Sequence, residues 1–185
     1  MYFLEHWKTV GRHRRLVRKY CFRLGLYWQG LTHDLSKYSP TEFLVGVRYY
    51  QGDRSPNDAE RREKGYSSAW LHHKGRNRHH LEYWTDYGRV GDGIGIVSVE
   101  MPVCYVAEMF CDRLAASHVY RGKDFRQEDP WLFFQRTKKN AVLHERTQML
   151  LEDMLLKLKD EGEDAAFSYI RTEILGKEGR GNADA

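Results

Sequence analysis

Phe3-Leu-Glu-His6-Trp-Lys-Thr-Val10-Gly-Arg-His13-Arg-Arg-Leu-Val17-Arg-Lys-Tyr20-Cys-Phe-Arg-Leu24 repeats its stripe at alternating steps of three and four. Phe3, His6, Val10, His13, Val17, Tyr20 and Leu24 share one face, the spacing of an amphipathic helix, so residues 2–25 are expected to be helical. Working outward, Gly25 and Gly30 bracket a turn, and residues 31–38 read as a brief helix. Ser39-Pro40-Thr41-Glu42 then supplies a cap, a proline suited to the first helical position and the Glu of a capping box; this helix should run to about Gln51. Residues 52–64 are polar and charged and are expected to form a surface loop with at most one helical turn after Asn57. Helical character returns at 67–73 and 78–87. Gly88, Gly91, Gly93 and Gly95 suggest an irregular connection, and further helices are expected at 102–118, 129–138, 141–160 and 163–175, before a disordered tail from Gly176. No alternating run is long enough to demand a sheet. The pattern implies an all-α, single-domain helical bundle over residues 1–175.

The 185 residues suit one domain with a real core, and a hydrophobic fraction of 41% with 14% aromatics argues against disorder in its body. Glu5, His6 and Lys8 interrupt the N-terminal apolar residues, unlike a signal peptide, and no run approaches the roughly 18 apolar residues of a membrane span. Cys21, Cys104 and Cys111 are an odd, scattered three that fits a reducing compartment, so a cytoplasmic location with no membrane partner is expected. The net charge of +4 is modest, although Arg12, Arg14, Arg15, Arg18, Lys19 and Arg23 cluster on the first helix. A solvated helix face accounts for such a run; attraction of phosphate or nucleic acid is the weaker alternative.

Nine histidines are the conspicuous feature, because they are grouped. His33-Asp34, His72-His73 and His79-His80 are tight sets, with His13 upstream and Asp112 downstream. Imidazole and carboxylate together suit borderline divalent ions such as Mn, Fe, Zn or Co. His13 sits one turn from both Val10 and Val17, so its ring points inward with the core. A lone inward histidine is usually a satisfied core residue; this one has company. Glu108 and Asp112 lie one turn apart on the helix opened by Pro102, and Tyr105, Met109 and Ala116 share the Asp112 face, which favours an inward carboxylate. A nuclease of the His-Asn-His type lacks its strands and its longer spacings here.

The order of an inward His, an adjacent His-Asp, a Lys three residues on and a late Asp resembles the H…HD…D pattern of the HD metal-dependent phosphohydrolase superfamily. Thr32-His33-Asp34-Leu-Ser-Lys37 is similar to its HDxxK variant. The resemblance implies a helical bundle of the HD-domain type and a metal centre formed by His13, His33, Asp34 and Asp112. Asp34 would bridge or hold the nucleophile, and Lys37 would meet a substrate phosphate. Two-metal relatives use extra histidines between the HD pair and the last Asp; His72, His73, His79 and His80 are the candidates, one ligand being expected from each pair. A closer resemblance, over roughly residues 5–155, is to a family of short, functionally uncharacterised proteins sharing HDLSKYSPTEF, AWLHHKGRNRHHLEYW, VEMPVCYVAEMFCD and NAVLHERT. The departure is Arg113, where Trp is associated with that family, which touches local packing only.

These residues lead to a metal-dependent phosphohydrolase with one or two divalent ions, acting on a nucleotide or small phosphate ester. A di-iron oxygenase and a non-catalytic, metal-stabilised binding protein are the alternatives. Substrate, metal identity and number, and oligomeric state stay open.

Overall fold

The computed structural model describes residues 2–176. Helix α1 (Phe3–Arg23) begins the bundle and turns its apolar stripe inward, burying Val10, Val17, Tyr20 and Cys21 together with His6 and His13. It packs on α6 (Val103–Arg121) and on α2 (Tyr27–Thr32). Helix α6 is buried along most of its circumference, through Val106, Ala107, Phe110, Cys111 and Leu114, and lies against α8 (Glu145–Tyr169). Leu151, Met154, Leu155 and Leu158 of α8 complete one core with Phe134 of α7 (Asp129–Thr137). The rings of Phe110 and Phe167 meet edge to face within it at 5.7 Å. No disulfide joins Cys21, Cys104 and Cys111. No helix among the described residues is long and apolar enough to cross a membrane.

A single 3-10 turn (Leu35–Tyr38) links α2 to α3 (Pro40–Arg48), whose cap forms as its sequence dictates: the Ser39 hydroxyl accepts from the Glu42 amide, with Pro40 in the first turn. Helix α3 packs on α4 (Pro56–Lys64) and α5 (Ser68–Lys74).

Five expectations need correction. The turn expected between Gly25 and Gly30 is largely helix α2, and the brief helix expected at 31–38 is reduced to the 3-10 turn after His33-Asp34. Residues 52–64 were expected to be loop, yet 56–64 form α4. That helix is almost wholly charged and has no apolar stripe; Asp58–Arg62 and Glu60–Lys64 pairs one turn apart support it, and Gly65 ends it in the left-handed conformation. Residues 78–87 are not a helix but a turn, a 3-10 segment (Leu81–Trp84) and the start of strand β1 (Thr85–Val90). The glycine-rich connection is ordered, β1 pairing antiparallel with β2 (Gly93–Ser98) from Thr85↔Ser98 to Val90↔Gly93. Glycines at 88 and 95 hide the alternation and are required by it, because a Cβ at Gly88 would strike Val97. Finally, the helix expected at 141–160 begins at 145; the break expected between it and the next helix is present, at Gly162 within α8. That glycine has non-helical angles, and a wider turn follows over Ile170–Leu175. Of the expected tail, residues 177–185 lie outside the described residues.

Glu60 shows what anchors the charged helix. Its carboxylate is fully buried and accepts from the Ser67 and Ser68 hydroxyls, both at 2.7 Å, and from Lys64 at 3.1 Å. Burial pushes its pKa up, but these donors outweigh it and hold it at about 2, below the ordinary 4.5. A depressed folded-state pKa stabilises the fold above the unfolded value, so this contribution should fade as the pH falls from 4.5 towards about 2. Glu60→Ala should cost roughly 2–3 kcal/mol, the scale of hydrogen bonds to a buried charge. Urea unfolding at neutral pH and near pH 3 checks both points: the gap between wild type and variant should shrink in acid, and an equal gap at both values would contradict the assignment.

Candidate metal centre

Above the core, α1 carries His13 one turn beyond Val17, so the stripe that packs the bundle also delivers an imidazole into its interior. Helix α2 ends at Thr32, and His33-Asp34 occupy the corner before the 3-10 turn. The Arg14 guanidinium of α1 fixes this corner by donating from Nε to the His33 carbonyl at 2.8 Å and from Nη2 to that of Leu31 at 3.3 Å. One member of the basic cluster is therefore structural. Asp34 has φ 53° and ψ 27°, the one positive φ outside glycine among the described residues. The left-handed region is costly for side-chain-bearing residues, least so for Asn and Asp, and such outliers gather at functional sites. The bend turns the carboxylate into the middle of the bundle, where its side chain is 1% exposed.

The two oxygens of Asp34 look in different directions. Oδ2 faces His13 Nε2 (3.6 Å) and His33 Nε2 (3.3 Å), and Asp112 Oδ1 from α6 lies 2.9 Å from His13 Nε2 and 3.5 Å from His33 Nε2. Oδ1 faces His73 Nε2 of α5 at 3.2 Å and His79 Nε2 at 3.4 Å, with His80 beside them. Two donor sets result, His13–His33–Asp34–Asp112 and Asp34–His73–His79–His80; within each, one ligand atom per residue lies within 4.8 Å of all the others. They share Asp34.

A second ring of carboxylates aims the imidazoles. Glu108 Oε1 lies 2.8 Å from His33 Nδ1 and 3.1 Å from His79 Nδ1. Glu42 Oε2 accepts from His73 Nδ1 at 2.7 Å, and Asn77 Nδ2 braces the same corner by donating to the His73 carbonyl and to the Ser36 hydroxyl. With Nδ1 turned outward to a carboxylate, His33, His73 and His79 each present Nε2 to the centre, the nitrogen left for a ligand bond once the ring is neutral. Burial pushes the Asp34 and Asp112 carboxyls up, but the surrounding imidazoles, and Lys37 in the case of Asp34, hold both well below the usual carboxylate range. Burial and the neighbouring His79 and His73 drive His80 far down, to the neutral ring.

The donor set fits a divalent cation. His13 Nε2, His33 Nε2, both Asp34 oxygens, His79 Nε2 and His80 Nε2 are buried, converge on one volume and make no well-directed hydrogen bond, although Asp34 Oδ2 is ion-paired with Lys37 and His13 with Asp112. Buried polar atoms are almost always satisfied, so six under-satisfied together call for a shared partner. Nitrogen and oxygen donors in these numbers suit Zn, Mn, Fe or Co.

The structure thus brings His13, His33, Asp34, His73, His79, His80 and Asp112 together. His72 stands apart: its Nδ1 is taken by Glu42 Oε1 at 2.6 Å and its side chain is a fifth exposed. One histidine is expected from each pair; in the second pair both His79 and His80 lie within reach of the second set, coming to it across a turn. Lys37 is close by, with Nζ 2.7 Å from Asp34 Oδ2, and is 31% exposed. Burial lowers its pKa, but Asp34 and Asp112 overcome this and keep the ammonium charged. Asp112 and Lys37 mark the more open rim of the first set, its other members being 8% exposed or less. Glu42 and Asn77 were not anticipated. Glu42 fits the capping-box pattern, yet its side chain turns to the histidines.

No curated protein and no solved structure matches this chain. The family model for a family of unknown function (DUF5662) does match, over residues 3–157, and the chain belongs to that family.

Proposed function

We propose that the chain is a metal-dependent phosphohydrolase of the HD type, with a two-ion centre shared through Asp34 and acting on a nucleotide or another small phosphate ester. The observation that carries this reading is the convergence of six under-satisfied buried donor atoms beside an ammonium on the open rim. His13, His33, Asp34 and Asp112 would hold one ion, and Asp34, His73, His79 and His80 the other. Divalent ions there supply Lewis acidity and an activated water. The chain's own residues do the rest. Glu108 and Glu42 keep Nε2 of the imidazoles turned inward. Lys37, a point charge at the rim, binds an incoming phosphoryl oxygen.

The test is release of inorganic phosphate from a panel of nucleotides and simple phosphate esters, with Mn, Co, Zn or Fe supplied in turn. No turnover on any member, despite bound metal, would favour a metal-stabilised binding protein. The set of three imidazoles and one carboxylate also suits iron. Two irons with oxygen uptake and no phosphate release would decide for an oxygenase instead.

Lys37→Ala separates binding of substrate from binding of metal. A charged Lys cannot ligate, so metal content should be unchanged while kcat/KM for the best phosphate ester falls about 100-fold, the order expected when one charge-assisted contact to a phosphoryl group is lost. Loss of metal from this variant would show that Lys37 supports Asp34 rather than substrate.

A further inference from the structure

A second concave site lies behind the imidazoles. A cleft of about 380 Å³ opens between α2 and the segment after α5, and its floor is formed by His33, His79 and the Glu108 that holds both at Nδ1. None of His13, Asp34, Lys37 or Asp112 lines it, so it is separate from the rim that Lys37 marks.

Its walls have a definite chemistry. Arg76 and Arg78 stand on one side, and among the described residues no carboxylate pairs with either. Arg76 spends one donor on the His72 carbonyl at 3.1 Å, and Arg78 donates to the Tyr105 hydroxyl at 3.2 Å, also engages Tyr83, and lies over both tyrosine rings at 5.8 Å. A guanidinium has five donors in a fixed fork, so donors remain on both residues for a ligand, most of them on Arg76, and the fork matches phosphate oxygens. The indole of Trp28, 74% exposed, also lines the cleft, with Tyr105 as a second aromatic side chain. Each part of this lining has a chemical complement: a flat ring for the indole and an anion for the guanidinium forks. The volume suits a ligand of mononucleotide size.

We propose that this cleft binds an aromatic ring carrying a phosphate, the chemistry of a nucleoside monophosphate, at a site distinct from the metal centre. The ring stacks on Trp28 and the phosphate is held by Arg76 and Arg78. A ligand seated there rests against Glu108, the residue that aims His33 and His79, and is placed to act as an effector rather than as the substrate.

Calorimetric titration of the metal-replete protein with AMP, and separately with inorganic phosphate, tests this, with released phosphate and metal content measured on the same samples. AMP should bind more tightly than phosphate. Arg76→Gln combined with Arg78→Gln should weaken AMP at least about 10-fold, and Trp28→Ala about 5-fold or more, the scale of charge-assisted contacts and of base stacking. These side chains are on the surface, so the variants should fold and keep their metal. Lys37→Ala should bind AMP as the wild type does. Three results would overturn the proposal: no AMP binding at millimolar concentration, binding indifferent to the paired arginine substitution, or binding lost in Lys37→Ala, which puts the nucleotide at the metal rim. Phosphate binding as tightly as AMP would remove the ring from the ligand class and overturn it too. AMP binding that depends on Arg76 and Arg78 in protein found to hold no metal would leave the cleft standing and remove the metal reading.

Discussion

Asp34→Asn should purify with almost no metal and melt well below the wild type, although its backbone turn is preserved. Asp34 is the one residue common to both donor sets, with one oxygen toward His13 and His33 and the other toward His73 and His79. An amide offers a single neutral acceptor and puts an NH2 group where the second oxygen was, so neither set keeps its charge and one loses a donor. Asn tolerates φ 53° as well as Asp does, which separates the loss of metal from strain in the chain. Asp34→Ala should add about 1 kcal/mol for the left-handed conformation. Ions bound to the folded state alone stabilise it by about 4 kcal/mol when present at roughly a thousand times Kd. For a chain of this length that is on the order of 10 °C in Tm. Elemental analysis and thermal melting check this, and chelation of the wild type should bring its Tm down to that of the Asn variant. Two ions retained in Asp34→Asn would rule out a shared carboxylate.

Most of the first donor set is legible in the chain because each member announces itself locally. His13 lies on an apolar stripe, His33-Asp34 are adjacent on a short element, and Asp112 shares a face with Tyr105 and Met109. The second set is not legible to the same degree. His72 and His73 are consecutive on one helix, about 100° apart, and their neighbours do not say which faces inward; the choice is made by Glu42, thirty residues away in sequence, which engages both Nδ1 atoms but leaves only His73 facing Asp34. His79 and His80 both reach the site because the chain there turns instead of coiling, and spacing alone does not reveal such a turn. The hairpin was hidden for a different reason. Its apolar residues Tyr87, Ile94 and Ile96 face solvent, so the burial that normally produces a readable alternation is missing, and glycines fill the intervening places. Helix α4 likewise lacks a stripe, since its anchor is a buried carboxylate rather than an apolar face.

His79→Ala combined with His80→Ala should lower the metal content from about two ions per chain to about one, whereas His72→Ala should leave it at two. The paired substitution removes two of the three imidazoles that accompany Asp34 in the second set, leaving one carboxylate oxygen and His73, too few donors to hold a borderline ion in competition with water. The first set keeps His13, His33, Asp34 and Asp112, and Glu108 still accepts from His33 at 2.8 Å, so that ring stays oriented. His72 reaches Glu42 only, and Glu42 retains His73, so its loss touches neither set directly. The contrast between two neighbouring histidines, one inside the donor set and one outside it, tests the geometry more sharply than either substitution alone. Elemental analysis gives the stoichiometry, and melting with and without chelator shows whether the remaining ion still stabilises the fold. Phosphate release should fall far more in the paired variant than in His72→Ala, because one ion would be left to do the work of two. A wild type holding a single ion, unchanged by the paired substitution, would reassign His73, His79 and His80 to substrate binding or proton transfer and leave a one-metal centre at His13, His33, Asp34 and Asp112.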